Sequence, residues 1–121
     1  AASLAALVAL KTAMLPNLNK EGKIDYDSKP EKKLPLNKDI NPISITFYKL
    51  GETILLDPTR EEEEACDTRI VFGLSLYKDK PVINSCQKRG EKVFSTTDIN
   101  MMMDILPKKF EELNANLKKF L

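Results

Sequence analysis

The feature that most constrains this chain is an apolar stripe near its end. Ile99, Met102, Met103, Leu106, Phe110, Leu113, Leu117 and Phe120 recur at three- and four-residue spacing, the period that gathers side chains on one face of an α-helix. A helix of this kind draws its stability from laying that face on a matching apolar surface. One amphipathic helix is therefore predicted from about Thr97 to Leu121. Its start is marked by Ser95 and Asp98, which have the Ser-x-x-acid spacing of a capping box, with Thr96 a comparable cap. Pro107 falls off the stripe, removes a backbone donor and clashes with the preceding turn, so the helix should kink or divide there. Met102 and Met103 lie on the stripe and read as core, although a run of methionines also suits an adaptable binding surface. A coiled coil is the alternative use of such a stripe, which here lasts only about three heptads.

The surface that would receive this helix is legible upstream. From Ile43 to Leu50 the sequence alternates, placing Ile43, Ile45 and Phe47 on one face of a strand. Gly51 and Glu52 turn it into Thr53 to Leu56, a hairpin. Arg69 to Leu76 and Val82 to Gln87 read as a second hairpin joined by Tyr77 to Pro81. Before these strands, Ala1 to Leu15 reads as a helix whose residues Leu4, Leu7, Val8, Leu10, Met14 and Leu15 cover most of its circumference, so it should be buried on several sides. Pro16 and Asn17 end it. Asn19 to Lys38 has the Gly, Pro and charge content of a surface loop, with a short strand expected from Lys23 to Tyr26. The expected fold is α+β: a small mixed or antiparallel sheet covered by the first and last helices. No internal repeat is visible.

The length of 121 residues suits one domain. The chain opens without Met and without a capping residue ahead of its first helical pattern, so residues 1–121 are expected to be one domain of a longer polypeptide, as a fragment or cleavage product. Nineteen basic residues against eighteen acidic give a net charge of +1, which excludes the strong basic field of an autonomous nucleic-acid-binding domain; contact with nucleic acid would be local or shared with partners. With no His and only Cys66 and Cys86, the usual zinc ligand sets and a disulfide framework are unavailable. A reducing cytoplasm is the expected location, with both thiols buried as small hydrophobes. No stretch reaches the ~20 apolar residues that span a bilayer, and the opening run lacks the basic start of a signal peptide.

Two clusters carry potential chemistry. The stretch from Asp57 to Ile70 holds Glu61, Glu62, Glu63, Glu64 and Asp67 between two strands. An acidic run of this kind is commonly a solvated surface turn; clustered carboxylates can also hold Mg²⁺ or share a proton for general acid–base work. Spacing alone leaves both open. Lys88, Arg89 and Lys92 surround Gly90 at the end of a strand, where they are either a solvated turn or a contact for RNA phosphates.

These residues also carry a resemblance. Leu55-Leu-Asp-Pro-Thr-Arg-Glu-Glu-Glu followed by Asp67-Thr-Arg-Ile is similar to the Asp-Pro-Thr-x-x-Glu-Glu … Asp-x-Lys/Arg-Ile block of exosome subunits with the RNase PH fold. The opening Ala/Leu-rich helix with Leu15-Pro16, then Leu34-Pro-Leu, Cys86-Gln-Lys and the closing Ser-x-x-Asp helix, fall in that family's order and cover essentially the whole chain. The chain thus resembles the carboxy-terminal half of the archaeal, catalytically silent ring subunits; eukaryotic ring subunits share the Asp-Pro-Thr block. The resemblance implies a subunit that alternates with a catalytic RNase PH-like partner, three heterodimers to a hexameric ring, topped by RNA-binding cap subunits. Single-stranded RNA is threaded through it and degraded 3′ to 5′ with inorganic phosphate; no resident cofactor or metal is implied.

In active members two aspartates of this block serve phosphorolysis, and laid on this chain they fall at Glu63 and Arg69. A guanidinium stays protonated and accepts neither proton nor metal, so the resemblance implies no catalytic residue here. It also places the phosphate-binding loop of active members before the opening helix. Around Arg89-Gly90-Glu91-Lys92 the chain departs from the family, whose Gln-Lys is followed by Ser and several Gly. The expected role is structural and RNA-guiding, through Lys88, Arg89 and Lys92; the runner-up is an active phosphorolytic exoribonuclease, and a third is a free-standing interaction module.

Overall fold

The computed structural model describes residues 2–37 and 40–121. Ala1 and the loop's end at Lys38, both included in expectations above, lie outside the described residues. The elements run α1 (Ala2–Thr12), β1 (Met14–Leu15), β2 (Lys32–Lys33), β3 (Ile43–Leu50), β4 (Thr53–Leu56), α2 (Arg60–Ala65), β5 (Thr68–Tyr77), β6 (Lys80–Gly90) and α3 (Thr96–Leu117), closed by a 3₁₀ turn at Lys118–Phe120. β4, β3, β5 and β6 form one sheet in that order, and every pairing in it is antiparallel. The α+β expectation holds, with the mixed alternative eliminated.

Strand alternation determines which face is covered. Ile43, Ile45 and Phe47 of β3 and Ile70, Phe72 and Leu74 of β5 are buried, and in register they stand side by side, Ile45 opposite Phe72 and Phe47 opposite Ile70. Phe47 and Phe72 meet edge to face with ring centroids 6.2 Å apart. Met102, Leu106, Phe110 and Leu117 of α3 and Leu7 of α1 join the same cluster. The other sheet face carries Ser44, Thr46, Tyr48, Arg69, Val71, Gly73 and Ser75, half-buried or exposed. The domain is two layers deep, with one sheet face open.

Lys49 continues the core-facing series of β3 and is only 7 % exposed, which is tolerated because its ammonium lies 2.7 Å from the Asp98 carboxylate, consistent with the rule that buried charges come paired. Asp98 in turn accepts from the Ser95 backbone N–H while Ser95 Oγ accepts from the Asp98 N–H, at 2.8 and 3.1 Å. The predicted capping box thus fastens the start of α3 to the sheet. The bond from Lys49 raises no conflict with either charge: it lifts the Lys49 amine above its ordinary value and, with the Ser95 bond, holds Asp98 below the usual carboxylate range.

Several expectations are corrected. The first helix stops at Thr12, and Met14 and Leu15 pair instead with Lys33 and Lys32. Leu15 precedes Pro16, and the residue before a proline is pushed out of the helical region. The strand expected from Lys23 to Tyr26 reduces to one bridge, Leu18 with Ile24. α3 is not divided: it passes unbroken through Pro107, which lies on its exposed side, where water can replace the missing bond. Leu117 is buried, but Phe120 is 69 % exposed. The change to a 3₁₀ turn at Lys118 tightens the rotation per residue and swings Phe120 off the stripe. Cys66 is half-buried and Cys86 exposed, against the expectation that both are core residues; Cys86 sits on the edge strand β6, which no helix covers at that point.

Candidate functional site

An open depression of about 270 Å³ lies at one end of the open sheet face, lined by Tyr48, Glu63, Cys66, Asp67, Thr68, Arg69, Arg89 and Gly90. Four segments build it. Tyr48 of β3 stands opposite Arg69 of β5, and Arg69 stands opposite Arg89 of β6, so one row crosses three strands on one face. Glu63 arrives from α2 above that row.

α2 replaces what the acidic run suggested as a turn, and a signal for it was present. Thr59-Arg-Glu-Glu62 has the spacing of a capping box. Thr59 Oγ1 accepts from the Glu62 N–H at 3.3 Å, and Glu62 accepts from the Thr59 N–H at 2.8 Å. Glu61, Glu62 and Glu63 in the first turn also meet the positive end of the helix dipole. The box aims Glu63 at the row: Tyr48 donates its hydroxyl to Glu63 Oε1 at 2.9 Å, and the Arg69 guanidinium lies 3.7 Å from the same oxygen. Desolvation and the Glu63 bond push the Tyr48 phenol above its ordinary value, so it remains a donor at neutral pH.

Gly90 brings β6 close enough to complete the site. It has φ of 103°, and a Cβ there would stand 2.5 Å from the Asp67 carbonyl oxygen and 2.6 Å from Thr68 Cα, so no other residue fits without backbone movement. The same close approach lets Thr68 Oγ1 donate to the Arg89 carbonyl at 2.7 Å. Cys66 lines the depression, but burial first and the Asp67, Glu62 and Glu63 carboxylates second raise its thiol above the ordinary value, which suppresses the nucleophilic thiolate.

The structure brings Glu63 and Arg69 together and adds Arg89 and Tyr48 to them. Strand alternation separates the rest of the basic cluster. Lys88 stands opposite Ile70 on the other sheet face, where its ammonium donates to the Gly90 carbonyl at 2.6 Å. Lys92 follows the strand and is exposed. Tyr48 was missed in the sequence because an amphipathic aromatic in an alternating strand carries no mark of a site. The acidic run does not gather into a cation cage: among the described residues no group of three carboxylates or thiols could hold a metal ion.

The geometry is thus a one-sided antiparallel sheet backed by two helices, with a carboxylate and two guanidiniums at one end of its open face. Residues 41–105 match the 3′ exoribonuclease family, domain 2, and the chain belongs to that family. It is similar to the exosome complex component Rrp42 of Thermoplasma acidophilum, 40 % identical over 99 residues that make up 82 % of this chain and 34 % of the relative. It is likewise similar to the Rrp42 components of Methanothermobacter thermautotrophicus, 31 % identical over 98 % of this chain and 42 % of the relative, and of Thermococcus gammatolerans, 31 % identical over 97 % and 42 %. The chain therefore spans between a third and a half of the length of these curated relatives. Among the described residues no helix is long and apolar enough to cross a membrane.

Proposed function

We propose that this chain is the carboxy-terminal domain of a non-catalytic, RNA-guiding exosome subunit, working in the cytoplasm. The observation that carries the reading is the pairing at the site. Where the resemblance sets two catalytic aspartates, this chain has Glu63 and Arg69, and the guanidinium faces the carboxylate at 3.7 Å. A carboxylate so placed is tied to a fixed cation and a tyrosine hydroxyl, and a guanidinium cannot take up a proton or hold a metal. In this reading the domain holds the active site of a catalytic RNase PH-like partner in shape within a ring of three heterodimers. It guides single-stranded RNA toward that site through Arg89 and Lys92 at the rim, with Lys88 behind them, and leaves RNA entry to cap subunits.

The uncovered apolar surface supports a larger assembly. α1 is apolar at nearly every position from Ala2 to Leu10, yet only Leu7 is buried, whereas a helix apolar all round is normally enclosed. Beside it Leu4, Ala5, Val8, Ala9, Leu113, Leu117 and Phe120 line an apolar groove of about 470 Å³. The amino-terminal half of the same subunit is the proposed cover.

Incubating the chain and its Arg69→Asp variant with single-stranded RNA and phosphate tests the non-catalytic assignment. Neither should release nucleoside diphosphates, because position 63 is Glu and the phosphate loop is not among these residues. Robust release by the wild-type chain would overturn it.

A further inference from the structure

We propose that Arg69 and Arg89 together form a binding site for a phosphate oxyanion. This deepens the RNA-guiding reading, on which it rests for its physiological source but not for its chemistry. Directly opposed like charges on neighbouring strands repel, and Arg69 and Arg89 are register partners on one sheet face. Their compensation is incomplete. Arg69 has one carboxylate nearby, Glu63, at a distance of 3.7 Å that is outside hydrogen-bond range. Asp67 lines the same depression, but no ion pair joins it to either guanidinium, and Arg89 has no side-chain ion pair among the described residues. Each guanidinium carries a planar fork of N–H donors, so the pair offers more donors than the carboxylates present take up.

The shape of the site selects among anions. A carboxylate has two oxygens in one plane and is satisfied by one fork. A tetrahedral phosphate presents oxygens in several directions and can be held by two forks approaching from adjacent strands. The depression of about 270 Å³ is open enough to admit it, and the Tyr48 hydroxyl stands at its edge. Glu63 acts as the competitor: it draws Arg69 to itself, so binding requires Arg69 to exchange the Glu63 oxygen for a phosphate oxygen. That exchange makes the sign of the Glu63 effect opposite to that of the arginines.

The test titrates the chain with inorganic phosphate and, separately, with a short single-stranded oligoadenylate lacking a terminal phosphate, at fixed ionic strength. Acetate serves as the carboxylate control. Arg69→Gln and Arg89→Gln are each expected to weaken binding of the preferred probe about tenfold, the effect of losing one charge-assisted pair. Glu63→Gln should strengthen it, and Lys118→Gln, in the 3₁₀ turn beyond α3 and outside the depression, should leave binding unchanged. Binding of inorganic phosphate alone assigns the site to the free anion, and binding of oligoadenylate assigns it to the RNA backbone; both support the oxyanion chemistry. Arg89 is exposed, so Arg89→Gln carries the test if Arg69→Gln melts early. Unaltered binding of the bound probe in Arg89→Gln, failure of both probes to bind, or acetate binding as tight as phosphate would overturn the proposal. Failure of the chain to join a ring would undo the exosome reading and leave this site standing.

Discussion

Two phenylalanines ten positions apart in the same stripe should differ sharply in what they contribute. Phe110 has no exposed surface and shares a cluster with Phe47, Met102 and Leu106, while Phe120 is 69 % exposed beyond the last α-helical turn. Truncating a fully buried Phe to Ala removes its transfer free energy and leaves a cavity, costing about 3–5 kcal/mol. That is a large share of the ~5–15 kcal/mol that holds a domain together. For a domain of this size the midpoint of a thermal melt should fall by roughly 10–25 °C. Phe120→Ala changes a surface residue and should stay within about 0.5 kcal/mol. Melts of the two variants beside the wild type, followed by circular dichroism, read the difference. Equal losses would show that the stripe continues to the chain's end and that the 3₁₀ turn is misplaced. A loss confined to Phe120→Ala would contradict the packing altogether.

Two further outcomes follow from the geometry. Asp98 has a folded pKa below its ordinary 3.8, so its bonds to Lys49 and Ser95 stabilise the fold fully above that pH and are lost as pH falls below it; the gap between wild type and Asp98→Asn in denaturant melts should therefore close in acid, and a constant gap would remove the staple from the account. Gly90→Ala places a Cβ against the Asp67 carbonyl and Thr68 Cα at a φ of 103°, so it should cost at least about 1–3 kcal/mol and displace Arg89, read as lost stability together with weakened phosphate binding; an unperturbed melt would show that β6 does not make this approach.

Most of the frame was legible because it is periodic. Ile43, Ile45 and Phe47 announced β3, and Met102, Leu106 and Phe110 announced α3, since each period of two or near four leaves one solution for which face is buried. The alternation even continued to Lys49, whose burial needed knowledge of Asp98 to make sense. What escaped was set by context. Phe120 follows the helical period in sequence but not the 3₁₀ turn that the chain adopts. The site itself depends on the register between β5 and β6, which shifts between Gly73 and Leu74; that irregularity determines that Arg69 faces Arg89. Strand alternation alone would have separated Lys88 from Arg89, and the Thr59–Glu62 spacing would have placed α2, so both were available signals outweighed by the local density of charge.

The central claim is that this chain contributes structure and RNA contacts to a phosphorolytic ring without catalysing the reaction. The most direct measurement is nucleoside diphosphate release from single-stranded RNA and phosphate by a ring built from the full-length subunit bearing this domain and a catalytic RNase PH-like partner, with the partner's catalytic carboxylates either intact or replaced. The account predicts release with the intact partner and none with the replaced one. Release that persists with the inactivated partner and disappears on Glu63→Gln would contradict it, by placing working chemistry at the site where Arg69 faces Glu63.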